Sequence, residues 1–179
     1  MEDGAGDGEV KRLAIALALL LTAGASAETP AWKLSPSGWG PAHIGMTRAQ
    51  VSSALHVQLE GDAFDNEGKC INLIASDDAL PGLFFMFLDG RLSRITVTEP
   101  SQVLTPRGIG IGATADEVRK TYGPEIKAEP HHYYGEPAEY LTYWIKPDKS
   151  GVRFETDTQG KVETIHAGGP SIELVEGCS

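Results

Sequence analysis

The sequence predicts an α+β fold in which two helix-plus-antiparallel-sheet repeats form one body. Three observations predict it: an eight-residue stretch recurs with its turn and cap residues in place, helical patterning gives way to strand patterning after each copy, and the two cysteines lie in the first half and at the C-terminus. Ile44-Gly45-Met46-Thr47-Arg48-Ala49-Gln50-Val51 lies over Ile111-Gly112-Ala113-Thr114-Ala115-Asp116-Glu117-Val118 at a spacing of 67, matching at Ile, Gly, Thr and Val. At a spacing of 70, Gly90, Leu92 and Ile95 lie over Gly160, Val162 and Ile165.

Each copy opens on a Gly-rich extended stretch, Gly38 to Gly45 and Gly108 to Gly112. Thr47 followed by Gln50, and Thr114 followed by Glu117, are capping boxes: the hydroxyl accepts from a first-turn N–H and the longer side chain returns the bond. Short helices follow, with Val51 and Leu55, and Val118 and Tyr122, four apart on one face; Gly123-Pro124 stops the second. Strands are expected at Ile71 to Ala75, Leu83 to Leu88 and Leu92 to Thr98, with Asp89-Gly90 at a hairpin turn. In the second copy they are Tyr140 to Lys146, Val152 to Thr156 and Val162 to Ala167, with Gln159-Gly160 at the turn. A lone three-stranded unit with one short helix buries little apolar area, so the two copies, 28–100 and 101–179, are expected to share one sheet or pack into one body.

Residues 1–27 read as a secretory signal peptide: Lys11 and Arg12, an apolar run from Leu13 to Leu21, and Ala25-Ser26-Ala27 before a cleavage point after Ala27. The run is shorter than the roughly 20 residues of a spanning helix, so no permanent membrane anchor is expected. The acidic, Gly-rich start MEDGAGDGE suggests that translation begins at Val10. Loss of 1–27 removes Glu2, Asp3, Asp7, Glu9, Lys11 and Arg12 and takes the net charge from −10 to −8, a poor balance for nucleic acid or anionic membranes. The expected location is periplasmic or secreted. There Cys70 and Cys178 most simply form one bridge that pins the C-terminal tail to the first repeat, the rival readings being free thiols or an intermolecular bond.

Gly108-Ile109-Gly110-Ile111-Gly112-Ala113 fits the dinucleotide fingerprint formally, but hairpin strands rather than a parallel crossover follow it, and it reads as the start of a repeat. His131-His132 is a weak metal candidate, because neighbours on a strand face opposite ways. Asp62, Asp65, Asn66 and Glu67 offer oxygen ligands without the alternate spacing of a calcium loop. There is no Gly-x-Ser-x-Gly, His-Glu-x-x-His or Cys-x-x-Cys, so no catalytic residue, cofactor or metal is expected, although carboxylate pairs brought together in space stay open. The strongest hint is aromatic: Tyr133, Tyr134, Tyr140, Tyr143 and Trp144 lie within twelve residues. On a strand Tyr140 and Trp144 share a face with Thr142, while Tyr143 faces the other way with Leu141 and Ile145. Tyr133, Tyr134, Tyr140 and Trp144 are thus the candidate binding residues, against the alternative that all of them fill the core.

The Gly-rich entry, Thr-capped short helix and antiparallel strands, carried by Ile44-Gly45-Met46-Thr47 with Val51 and by Ile111-Gly112-Ala113-Thr114 with Val118, resemble the β-lactamase inhibitory protein fold and the related small outer-membrane assembly lipoproteins. The resemblance spans nearly the whole mature chain and is specific for fold rather than function. It implies a concave sheet of the kind that two-repeat inhibitors lay over a target enzyme. The chain departs from the inhibitors in having one candidate bridge between halves instead of one within each, and from the lipoproteins in lacking a lipid-bearing cysteine. The expectation is a non-catalytic extracytoplasmic module that binds a protein, of inhibitor or immunity type against an envelope enzyme. The alternatives are an envelope structural or assembly protein, and a hydrolase with unrecognised carboxylates.

Overall fold

The computed structural model describes residues 31–61, 69–146 and 149–178; the expected signal peptide, 1–27, and the acidic loop with Asp62, Asp65, Asn66 and Glu67 lie outside the described residues. Ahead of the first helix lie three two-residue strands, β1 (Leu34–Ser35), β2 (Gly38–Trp39) and β3 (Ala42–His43), which form a small antiparallel sheet. Trp39 is buried and meets Trp32 edge-on, with ring centroids 5.0 Å apart.

Helix α1 (Arg48–Leu55) begins at Thr47 and α2 (Ala115–Tyr122) at Thr114, each with the expected capping box. The Gln50 side chain accepts from Thr47 N at 2.9 Å, and that of Glu117 from Thr114 N at 2.8 Å. In α2 the acids Asp116 and Glu117 sit in the first turn and the bases Arg119 and Lys120 in the last, both favourable to the helix dipole.

Each helix is followed by four strands: β4 (Leu59–Glu60), β5 (Cys70–Ala75), β6 (Leu83–Leu88) and β7 (Arg91–Thr98) after α1, and β8 (Lys127–Pro130), β9 (Glu139–Lys146), β10 (Ser150–Thr156) and β11 (Val162–Gly168) after α2. They form one antiparallel sheet in the order β4-β5-β6-β7-β11-β10-β9-β8, so the two halves meet where β7 pairs with β11. Thr96 lies opposite His166, and Val97 opposite Ile165. The β6–β7 hairpin turns at Asp89 (φ 47°) and Gly90 (φ 72°), a pair of positive values that matches the right-handed twist of the strands.

Period-two alternation, interrupted by register shifts at Met86/Phe87, Ser150/Gly151 and Glu155/Thr156, divides the sheet into two faces. Phe85, Phe87, Ile95, Val97, Leu141, Val152, Phe154 and Ile165 point to one face and pack with Val51, Val118 and Tyr122 of the helices. Burial of each phenylalanine there contributes about 1.5 to 3 kcal/mol. The residues between them, Arg94, Thr96, Thr142, Arg153, Glu155 and His166, point to the other face.

That second face is crossed by the C-terminal tail. After β11 a 3-10 turn (Pro170–Glu173) leads back over the sheet, and the tail ends in the Cys70–Cys178 disulfide on β5. No helix among the described residues is long and apolar enough to cross a membrane.

Candidate functional site

Strand pairing lines up polar side chains on the tail-covered face. One row runs Thr96, His166, Arg153, Thr142 and the next Thr98, Thr164, Glu155, Tyr140, Glu129. Polar groups are costly to bury unless bonded, and on this face most are, Arg94 Nε being an exception. Thr96 Oγ1 lies 2.8 Å from His166 Nδ1, and His166 Nε2 lies 3.1 Å from Glu155 Oε1. A neutral imidazole protonated on Nε2 satisfies both, donating to the carboxylate while accepting from the hydroxyl. Burial holds the His166 pKa below its ordinary value, with Arg94 and Arg153 pushing the same way against Glu155. Burial pushes Glu155 up, but its bond to His166 and the nearby Arg153 outweigh this and keep its carboxyl below the usual range.

Arg153 is the hub between this row and the chain edge. Its guanidinium lies 3.9 Å from the Tyr140 ring centroid, donates to Thr142 Oγ1 at 3.5 Å, and is 3.8 Å from Glu129 and 4.0 Å from Glu173. Arg94, lowered to about 10 by burial, stays charged at neutral pH and donates at 2.9 Å to the carbonyls of Ser171 and Leu174, gripping the tail. The lost Cβ at Gly151 gives the tail its seat: a methyl group there would lie 3.1 Å from Ile172 Cδ1 and 2.7 Å from both Trp144 and the Tyr143 carbonyl.

The loop between β8 and β9 folds over the end of the row. Buried His131 stacks on Tyr134, with centroids 4.5 Å apart and planes 13° apart, and lies 4.5 Å from the Tyr140 ring. Its Nδ1 accepts from the backbone N–H of both Tyr133 and Tyr134 at 3.2 Å, which requires that nitrogen to be unprotonated. Burial lowers its pKa, as do Arg153 and His132, against Glu155. Tyr140 in turn accepts from His132 N through its hydroxyl at 3.2 Å. Tyr133 and Tyr134, so held, stand 57% and 45% exposed, and the Tyr133 hydroxyl donates to Glu176 of the tail. Between loop and tail lies a cleft of about 290 Å³ lined by Lys127, Glu129, His132, Tyr140, Arg153, Glu173 and Val175 among others.

The structure thus separates the four sequence-predicted residues. Tyr133 and Tyr134 are exposed together; Tyr140 is 3% exposed and supports them from beneath; Trp144 is half-buried two rows away from Tyr140, opposite Gly151. Tyr143 faces the helices, as its alternation with Tyr140 requires, with its ring 5.1 Å from that of Tyr122. His131 and His132 are drawn apart, one into the stack and one onto the exposed rim, and among the described residues no group of three or more His, Cys, Asp or Glu is gathered for a metal ion. Gly108 to Ala113 leads into α2, after which all pairing is antiparallel.

The sequence reading missed Arg94, Thr96, Arg153, Glu155 and His166. They come from three strands and look like an ordinary solvated face; the only signal that something covers it is the cysteine at the end of the chain. The hydroxyl–imidazole–carboxylate chain has the elements of a relay. Thr96, however, is only 8% exposed in the middle of β7, with β6 and β11 paired on either side, so the flanking backbone N–H groups are used by the ladder rather than left for an oxyanion. Comparison with protein-family models, with curated proteins and with solved structures finds no match for this chain.

Proposed function

We propose that the chain is a non-catalytic, extracytoplasmic protein-binding module of inhibitor or immunity type, directed at an enzyme of the cell envelope, and that its two halves are a duplicated unit. One observation carries the binding reading: two adjacent tyrosines stand exposed on a loop that a buried histidine, a stacked ring and a cleft wall hold in place. Tyrosine is enriched among residues that dominate binding energy, and a loop ordered before contact loses little entropy on docking. The basic and apolar start of the chain and the Cys70–Cys178 bond support export to an oxidising compartment. Matching helix caps, and in each half a helix followed by four antiparallel strands, support duplication. Affinity capture from envelope extract with residues 28–179 as oxidised bait tests the binding reading. One enzyme retained by the parent and lost from a Tyr133→Ala/Tyr134→Ala bait is the expected result; equal retention by both baits removes the loop as the binding face.

A second reading is favoured by the Thr96–His166–Glu155 chain, which could serve acyl transfer if a substrate reached the hydroxyl. Ester and amide hydrolysis measured on purified protein and on Thr96→Val separates the two: activity in the parent that the variant lacks would establish a hydrolase, and the binding reading predicts none in either.

A further inference from the structure

The tail changes character along its length. Ser171 and Ile172 are 3% and 1% exposed, whereas Leu174 and Val175 are 42% and 38% exposed. Beyond Ile172, therefore, little apolar burial holds the tail to the sheet. The non-covalent contacts that reach it there include the approach of Glu173 to Arg153 at 4.0 Å, one Arg94 bond to the Leu174 carbonyl, the Tyr133–Glu176 hydrogen bond, and the approach of Gly177 to Arg94 and Met86. Hydrogen bonds exchanged with water hold a segment only weakly against the entropy of ordering its backbone. With so little apolar burial, residues 174–178 depend on a covalent tether for much of their order. The tether is Cys178, bonded to Cys70. The same segment forms one side of the cleft, through Glu173 and Val175, and steadies Tyr133 through Glu176.

We propose that residues 173–178 are a redox-gated wall of the binding cleft: the Cys70–Cys178 bond keeps the wall in place, and a dithiol reductant of the thioredoxin class releases it and loosens the tyrosine loop. The partner-binding part of this rests on the reading given above. Both cysteines are half-exposed, so a reductant can reach them. A thiolate of the reductant attacks one sulfur of the pair and forms a mixed disulfide, and the other cysteine leaves as a thiolate. The second thiol of the reductant then closes its own disulfide and expels the remaining cysteine, so that the protein gains two electrons and two thiols and the dithiol loses them. The fold survives, because the core lies on the opposite face and Ile172 stays docked over Gly151.

Hydrogen exchange read by mass spectrometry, on oxidised protein, on protein reduced with dithiothreitol and on a Cys70→Ser/Cys178→Ser variant, tests the release without any partner. Exchange at 173–178 should rise at least tenfold in the reduced protein and the variant, with a smaller rise at 131–134 and none in β10 or β11. Unchanged protection of 173–178, or loss of protection throughout the sheet, overturns the gate. The three forms are then used as bait. Partner retained by the oxidised form and released by the reduced form supports gating; a partner held equally by both contradicts gating while leaving the binding reading intact. If no form captures a partner although the wall is released, the binding reading fails and the gating role with it.

Discussion

The two buried histidines make stability fall on mild acidification. His166 accepts a hydrogen bond from Thr96 at Nδ1, and His131 accepts two backbone N–H bonds at Nδ1; protonation of either nitrogen would break those contacts. Both side chains therefore hold pKa values below the ordinary histidine value, through burial first and through Arg153 as well, against the opposing charge of Glu155; Arg94 adds to the effect at His166, and His132 at His131. In the unfolded chain each takes up a proton near about pH 6.5, whereas the folded chain takes it up only at lower pH, so the unfolded state binds more protons and stability rises with pH through this window. Between pH 7.5 and 5.5 the loss has a ceiling of about 1.4 kcal/mol per histidine, reached when the folded side chain stays neutral throughout. Glu155, whose folded pKa is depressed, adds its own loss only as the pH falls below the ordinary glutamate range. Glu163, raised by burial and by Asp157 and Glu155, acts in the opposite sense and in a higher window, adding stability as the pH falls from its raised folded value to the ordinary glutamate value. Urea unfolding at pH 7.5, 6.5 and 5.5 measures the slope, and His166→Gln, which removes one of the two titrating imidazoles, should reduce it. Equal stability at pH 5.5 and 7.5, or a slope unchanged in His166→Gln, would refute the reasoning.

Gly151→Ala should destabilise by about 1 to 3 kcal/mol in urea unfolding, because its methyl group meets the Tyr143 carbonyl at 2.7 Å and that atom cannot move without breaking the β9–β10 register. Phe154→Ala should cost about 3 to 5 kcal/mol by the same assay, since the ring is fully buried and packs 5.2 Å from that of Tyr122. Thr114→Ala should cost about 1 kcal/mol, read as a lowered urea midpoint with an unchanged slope, by removing the hydroxyl that accepts from Glu117 N.

The fold was legible wherever local chemistry marks an element. Asp89-Gly90, the two Thr caps and the β-rich runs Leu83 to Leu88 and Leu92 to Thr98 place strands and helices within a residue or two of those observed. The sheet has eight strands rather than the six read from pattern, because β4 is two residues long and β8 is Lys-Ala-Glu-Pro, with no apolar alternation. Such short, charged, Pro-ended strands are how a sheet protects its edges, and the same composition hides them from a search for strands. The candidate site was half legible. An aromatic cluster is visible in sequence, but the exposure of Tyr133 and the burial of Tyr140 follow from the loop folding back onto the sheet, which depends on His131 and on the tail. The polar row escaped for a different reason: alternation assigns Arg94, Thr96 and His166 to a non-core face, and only the path of the tail turns that face from wet to buried.

The most direct test of the account places a photo-crosslinking amino acid at Tyr134, and in a separate protein at Gln50 on the exposed side of α1, and irradiates each with envelope extract. One discrete protein adduct is expected from position 134 and none from position 50. Adducts from position 50 alone, or none from position 134 while the protein remains folded and oxidised, would contradict the binding reading.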